Sequence, residues 1–363
     1  MPTVDGFRDE ARQWIEANRH DAPPDWGAIM PPEQREAGMA WQQRVHAAGF
    51  AGIHWPTEYG GRGLSVDHHR AWAEECQAAG VPSILNMVGL VLAAGALHQF
   101  GTDAQKLAHL PETVRGDRVW CQLFSEPDAG SDLAGLTTRA QLDGDSWLVN
   151  GQKVWTSAAG ASDWGILMAR TEPEASKHDG ISFFVIDMST PGIETRPLRQ
   201  MTGEAEFDEV FLVDVELPAD ALIGDRGQGW GIAMAALTSE RGHIGGTTRT
   251  VERAMEDLMG RHASVDPVHR ARLAEVVAQG RAHLAMIRAG GAHPSLGKLA
   301  MADFRFQMAE LDADLSGAEA MVASRPADHL LRAPGGWFGG GTTQVQRNII
   351  GERVLGLPRE PRR

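Results

Sequence analysis

The stretch "ALTSERGHIGG" (residues 236–246) sets an acid on an otherwise apolar face. At helical spacing Ala233, Leu237, Glu240 and Ile244 fall on one stripe, so an inward-facing stripe buries a carboxylate. Most Glu residues beside an Arg, as Glu240 is beside Arg241, are solvated. The spacing alone leaves open what a carboxylate would do on an inward-facing stripe.

Three other segments have residue types that could carry chemistry. "CQLFSEPDAGSDLAG" (121–135) is rich in small and turn-forming residues: Ser125, Pro127, Ala129, Gly130 and Ser131. Their backbone N–H groups and hydroxyls can wrap a planar polar cofactor or an anion, although composition alone fits a plain connecting loop. "NGQKVWTSAA" (150–159) places Trp155 beside Thr156 and Ser157, an aromatic plate next to hydroxyl donors, which is also what packed core looks like. "GGGTTQVQRNIIGERVLGLPR" (339–359) puts three glycines and two threonines immediately before a helical pattern. A helix start with free N–H groups attracts anions or carbonyl oxygens, and otherwise is simply capped.

The elements that must position these segments fall in three zones. Residues 1–117 have helical periods, from "VDGFRDEARQWIEANR", with Asp5 as the expected N-cap, to "TDAQKLAHLPETVRG", started by Thr102 or Asp103. Between them "SILNMVGLVLAAGALHQFG" is apolar nearly all round and predicts a buried helix closed by Gly101. Residues 118–223 carry short runs of strand texture: "GILMAR", "ISFFVIDM", "IETRPL" and "EVFLVDVELP". Asn150-Gly151 inside "WLVNGQKVW" reads as a two-residue hairpin. This zone predicts a small antiparallel sheet or barrel. Residues 224–363 return to long amphipathic helices with short loops, a bundle pattern.

The chain has 363 residues, 42% hydrophobic and 23% charged, too long for one compact core. Lys and Arg number 34 against 48 Asp and Glu, a net charge of −14. That balance argues against nucleic acid or an anionic membrane as partner. The two cysteines make neither a disulfide framework nor a metal cluster, no apolar run reaches a membrane span, and a cytoplasmic location is expected.

Taken together and in this order, "SEPDAGSD", "NGQKVWTSAA" and "GGTTQVQRNIIGERVLGLPR" resemble the FAD-dependent acyl-CoA dehydrogenases over essentially the whole chain. The resemblance implies an α+β multidomain fold: an N-terminal α-helical domain, a middle β-barrel and a C-terminal four-helix bundle. It implies that Gln122, Leu123, Phe124, Ser125, Gly130 and Ser131 line FAD, with Ser125 on the pyrimidine side. Trp155, Thr156 and Ser157 would lie at the flavin, and Thr342, Thr343 and Gln344 at its adenosine end. Substrate would meet Ser131, Arg241, Gly340 and Gly341. Members carry the catalytic Glu either just before the C-terminal Gly-Thr, where this chain has Gly340, or before an Arg on the first long C-terminal helix, which here is Glu240. The activity implied is α,β-dehydrogenation of an acyl-CoA thioester to the trans-2-enoyl thioester, with an electron-transfer flavoprotein as acceptor and no metal. The alternatives are an acyl oxidase, a dehydrogenase of carrier-protein thioesters, or a subunit completing a sister chain's FAD site.

Two segments depart from that pattern. "MEDLMGRHASVDPVHR" lacks the usual Arg-x-x-Phe-Gly, leaving Arg261 and Arg270 as candidates for a partner's pyrophosphate, and "SRPADHLLRAPGGWFGG" replaces a Gly-rich stretch. Actinobacterial dehydrogenases of sterol side chains look like this, so the assembly expected is a homodimer or homotetramer, or a heterotetramer with a homologous subunit.

Overall fold

The computed structural model describes residues 1–24, 26, 30–244 and 248–359, and the side chains of 238–244 lie outside the described set. Two compact units result, residues 1–199 with 205–239 and residues 200–204 with 240–363.

The first unit opens with helices Val4–Asn18, Arg35–Ala47, Val66–Ala79 and Asp103–Arg115. Thr3, not Asp5, caps the first: its hydroxyl accepts from Gly6 N at 3.2 Å, which leaves Asp5 one turn inside. Thr102 caps the last with a reciprocal box, donating its backbone N–H to Gln105 Oε1 at 2.8 Å. The apolar stretch between them starts as a π-helical turn, Val88–Ala93, and continues as the α-helix Ala94–Phe100. Gly101 ends it in extended backbone rather than a left-handed cap.

Eight strands follow: β1 Trp120–Leu123, β2 Arg139–Asp143, β3 Ser146–Ser157, β4 Trp164–Arg170, β5 Ile181–Asp187, β6 Ile193–Leu198, β7 Phe207–Pro218 and β8 Leu222–Ile223. They form one sheet ordered β6-β7-β3-β2-β4-β5-β8, with β1 also on β4. The sheet is mixed rather than antiparallel, because β1 and β2 run parallel to β4. One face curls over its own core, with Leu123, Val149, Leu167, Phe184 and Leu212 fully or almost fully buried. The other packs on the helices through Trp120, Ile166, Met168 and Phe183. This is why β4 reads as a continuous apolar run: Ile166 and Met168 face one core, Leu167 and Ala169 the other. Each of its large side chains contributes about 1.5–3 kcal/mol of burial.

Asn150-Gly151 does not turn. β3 continues through it, with a register slip against β7 between Val149 and Gly151, and the hairpin lies earlier, where Asp143 pairs with Ser146 around Gly144 at φ +58°. Asn150 instead exchanges hydrogen bonds with Asp214, whose Oδ1 accepts at 3.0 Å and whose own backbone sits at φ +48°. A Cβ on Gly151 would fall 2.7 Å from the Cα of Thr138. Glycine is there for close chain approach, which the dipeptide signal cannot distinguish from a turn.

In the second unit, helices Thr248–Arg261, Pro267–Ala289 and Pro294–Ser316 share a core of Val251, Met255, Val276, Leu284, Met301 and Phe304. Short helices Arg325–Arg332 and Thr343–Ile349 complete it. The fourth long helix, Gly229–Ile244, starts in the first unit. The architecture is therefore an N-terminal helical domain, a middle β-sheet domain and a C-terminal helical domain.

Candidate active site

The loop after β1 is held by one acid. Glu126 is 5% exposed, and its carboxylate accepts from Thr137 N at 2.6 Å, Thr137 Oγ1 at 2.8 Å and Thr138 N at 2.9 Å. It also meets Lys153 Nζ at 2.9 Å, on a lysine that is fully buried in β3 and donates to Phe124 O as well. Burial by itself would raise the Glu126 carboxyl, but the charge and hydrogen bonds of Lys153, with those of Thr138 and Thr137, bring it down to about 2. Burial pulls the Lys153 ammonium down to about 8 against the opposing charge of Glu126. The pair thus joins both ends of the loop 125–138 to the strand beneath. Val154 N adds a bond to Ser125 O at 2.9 Å. No pattern of residue types pointed to Glu126 and Lys153; the only signal was a charged residue inside each of the two quoted segments.

On this frame Ser125 and Gln122 are half-buried, while Gly130 and Ser131 are exposed. Leu123 and Phe124 are buried, Phe124 lying edge-on to Phe183 at 5.8 Å, so only their backbone is available to a ligand. Two residues beyond Lys153 the chain changes character. The β3–β7 register slips between Lys153 and Thr156, a bulge that re-aims the intervening side chain. Trp155 is left 60% exposed, with its backbone at φ +59° and its ring edge-on to Phe207. A bulky residue in the left-handed region is strained by roughly 1–3 kcal/mol, and such strain collects at functional sites. Thr156 is fully buried, and among the described residues its Oγ1 has no hydrogen-bond partner. Ser157 is half-buried, and Ala158 at φ +50° ends the strand.

An exposed indole, an orphaned hydroxyl and open backbone at Gly130 are what a planar, hydrogen-bonding ring system fits, and FAD carries such a ring. The strain itself is testable. Trp155→Gly should be about 1 kcal/mol more stable than Trp155→Ala, since glycine alone is relaxed at this φ. Urea midpoints of the two variants measure it, and the reverse order would show that Trp155 is not held left-handed.

In the second unit Gly340 and Gly341 are both left-handed, at φ +66° and +90°. Gln346 is fully buried and clamps the turn by donating to Gly340 O at 2.9 Å. Thr342 caps the helix that follows, its hydroxyl accepting from Val345 N. Thr343 is buried and Gln344 exposed. Arg261 is committed within its own unit, its Nη1 donating to both oxygens of the buried Asp312 at 2.5 and 2.6 Å, with His262 on the same carboxylate at 2.7 Å. Among the described residues Arg270 donates to Val265 O alone, at 3.4 Å, and is exposed. Ala233 is buried and Leu237 packs on the first unit's core, as the stripe requires. Glu240 and Arg241 lie on helix Gly229–Ile244, but their side chains fall outside the described residues.

This is a three-part architecture, a helical domain, a β-sheet domain and a second helical domain. The chain matches the family models described as the acyl-CoA dehydrogenase N-terminal domain over residues 2–117, middle domain over 121–215 and C-terminal domain over 227–355. It is 38% identical to the acyl-CoA dehydrogenase IpdE1 of Mycobacterium tuberculosis, across 99% of both chains. It is 37% identical to the acyl-CoA dehydrogenase FadE34 of the same organism, across 92% of this chain and 47% of that protein. Among solved structures, the ChsE4–ChsE5 complex from Mycobacterium tuberculosis superposes with a TM-score of 0.79 at 27% identity, covering 99% of each chain. The chain belongs to the acyl-CoA dehydrogenase family, whose members are FAD-dependent. No helix among the described residues is long and apolar enough to cross a membrane.

Proposed function

We propose that the chain α,β-dehydrogenates an acyl-CoA thioester with Glu240 as the base. The observation that carries the reading is the strained, exposed Trp155 set between the Glu126–Lys153 frame and the orphaned Thr156 hydroxyl. Bound FAD supplies the two-electron acceptor for a hydride leaving the substrate's Cβ. Gln122 to Ser131 and Trp155 to Ser157 hold and orient the ring, and Thr342 to Gln344 hold the cofactor's adenosine end. Glu240 takes the α-proton onto its carboxylate as the Cα–Cβ double bond forms. Backbone N–H groups about Gly341 and Thr342 polarise the thioester carbonyl while negative charge grows on its oxygen. Arg241, Gly340 and Ser131 lie along the substrate, and an electron-transfer flavoprotein takes the electrons onward. The relatives' names favour a sterol-derived acyl group, a solved relative at 26% identity being titled a steroid ACAD.

A heteromeric assembly is the second reading, favoured by the likeness to the ChsE4–ChsE5 complex and by an Arg261 already spent on Asp312. Purified protein should be yellow, release FAD on denaturation and lose its visible absorption when a suitable acyl-CoA is added without oxygen. A colourless chain that takes up no added FAD would sink the stand-alone enzyme and leave the partner-dependent one.

A further inference from the structure

Lys298 lies near the start of the 23-residue helix Pro294–Ser316 and is 1% exposed; Ser295, one turn before it, is fully buried. Residues three apart share a helix face, and long side chains lean back toward the N-terminus, so the Lys298 stem runs over the turn of Ser295. Among the described residues neither Lys298 Nζ nor Ser295 Oγ has a hydrogen-bond partner. An ammonium taken out of water is strongly destabilising unless an anion or a set of acceptors meets it. The acid whose charge reaches it, Asp303, stands five residues further along and forms no ion pair with it. The Asp303 carboxylate instead accepts from Trp337 Nε1 at 3.1 Å. Burial pulls the Lys298 ammonium below its ordinary value, against the opposing charge of Asp303. Losing the proton does not satisfy the site, because the neutral amine is still without a partner. The helix adds positive potential at the same end. Its first N–H groups are already met, Ser295 N donating to His293 Nδ1 at 3.2 Å and Leu296 N to His293 O at 2.9 Å. The unanswered donors are the two side chains.

We infer that Lys298 and Ser295 form an internal anion site in the C-terminal helices, and that it takes a halide such as chloride. The ammonium supplies the charge and the hydroxyl a second donor, under the positive end of the helix. Both atoms are closed to solvent, which limits the ligand to a single-atom anion close to a water molecule in size and disfavours phosphate or sulfate. A bridging water would answer the hydrogen bonds and leave the charge. The site lies wholly within the second unit and is independent of the dehydrogenation reading.

The experiment melts the full chain with chloride exchanged for gluconate at constant ionic strength, in the parent, Lys298→Met and Ser295→Ala. Chloride at about ten times its Kd should raise the parental Tm by about 3 °C. Lys298→Met should melt no lower than the parent in gluconate, since it strands no charge, and chloride should leave it unmoved. Ser295→Ala should need about fivefold more chloride for the same rise, the loss of one hydrogen bond. Crystals grown in bromide should show an anomalous peak within contact of Lys298 Nζ and Ser295 Oγ. Equal responses to chloride in the parent and in Lys298→Met overturn the inference, because the halide then acts elsewhere. A bromide crystal with only a water, or nothing, at this place overturns it as well. If Lys298→Met does not fold, the Ser295→Ala titration and the bromide peak decide the question.

Discussion

Glu240→Gln should slow reduction of the bound flavin by a good acyl-CoA substrate about 10²–10⁴-fold, the range of a lost general base. The amide keeps the size and hydrogen-bonding capacity of the acid, so fold, FAD content and thioester binding should match the parent. Substrate should still perturb the oxidised flavin spectrum, because the backbone about Gly341 and Thr342 is untouched. Stopped-flow reduction under anaerobic conditions separates these readouts. A variant reduced at the parental rate would make Glu240 a solvated helix residue and end the assignment. Gly340 is a poor place to restore the acid. Its φ of +66° strains any L side chain, and Gln346 clamps its carbonyl. A failed rescue by Gly340→Glu on the Glu240→Gln background therefore reports backbone strain rather than chemistry.

Lys153→Met should destabilise the middle domain by about 3–5 kcal/mol, the cost of breaking a buried ion pair from one side. Glu126 would remain 5% exposed with its charge unpaired, holding only the Thr137 and Thr138 donors. Removing both partners, Glu126→Gln with Lys153→Met, should be less damaging than Lys153→Met alone, since no charge is then stranded. Urea midpoints of these two variants and of Glu126→Gln alone close a double-mutant cycle. Strictly additive losses, or a single-variant loss under about 1 kcal/mol, would show that the pair is not coupled. Loss of the pair should also loosen FAD, because the same contact ties the Ser125 loop to the strand that carries Trp155.

Element types and the order of the domains were legible in the residues themselves. Apolar period and turn chemistry are local, so the first helix, the Thr102 cap, the apolar β4 and the long C-terminal helices could all be read from neighbours a few positions away. The three motifs likewise named the family, because their residue types survive without coordinates. Long-range partners settled what those signals could not. Asn150-Gly151 continues a strand because β2 and β7 flank it and Thr138 presses on the glycine, which no local propensity reveals. Tertiary pairing alone decided that Trp155 is thrust outward, since a bulge is a register slip against a distant strand. The same holds for Glu126 and Lys153, 27 residues apart, and for the burial of Lys298. A charge in a sequence has no sign of its partner, and a buried one becomes a frame or a binding site only when the fold decides what stands opposite.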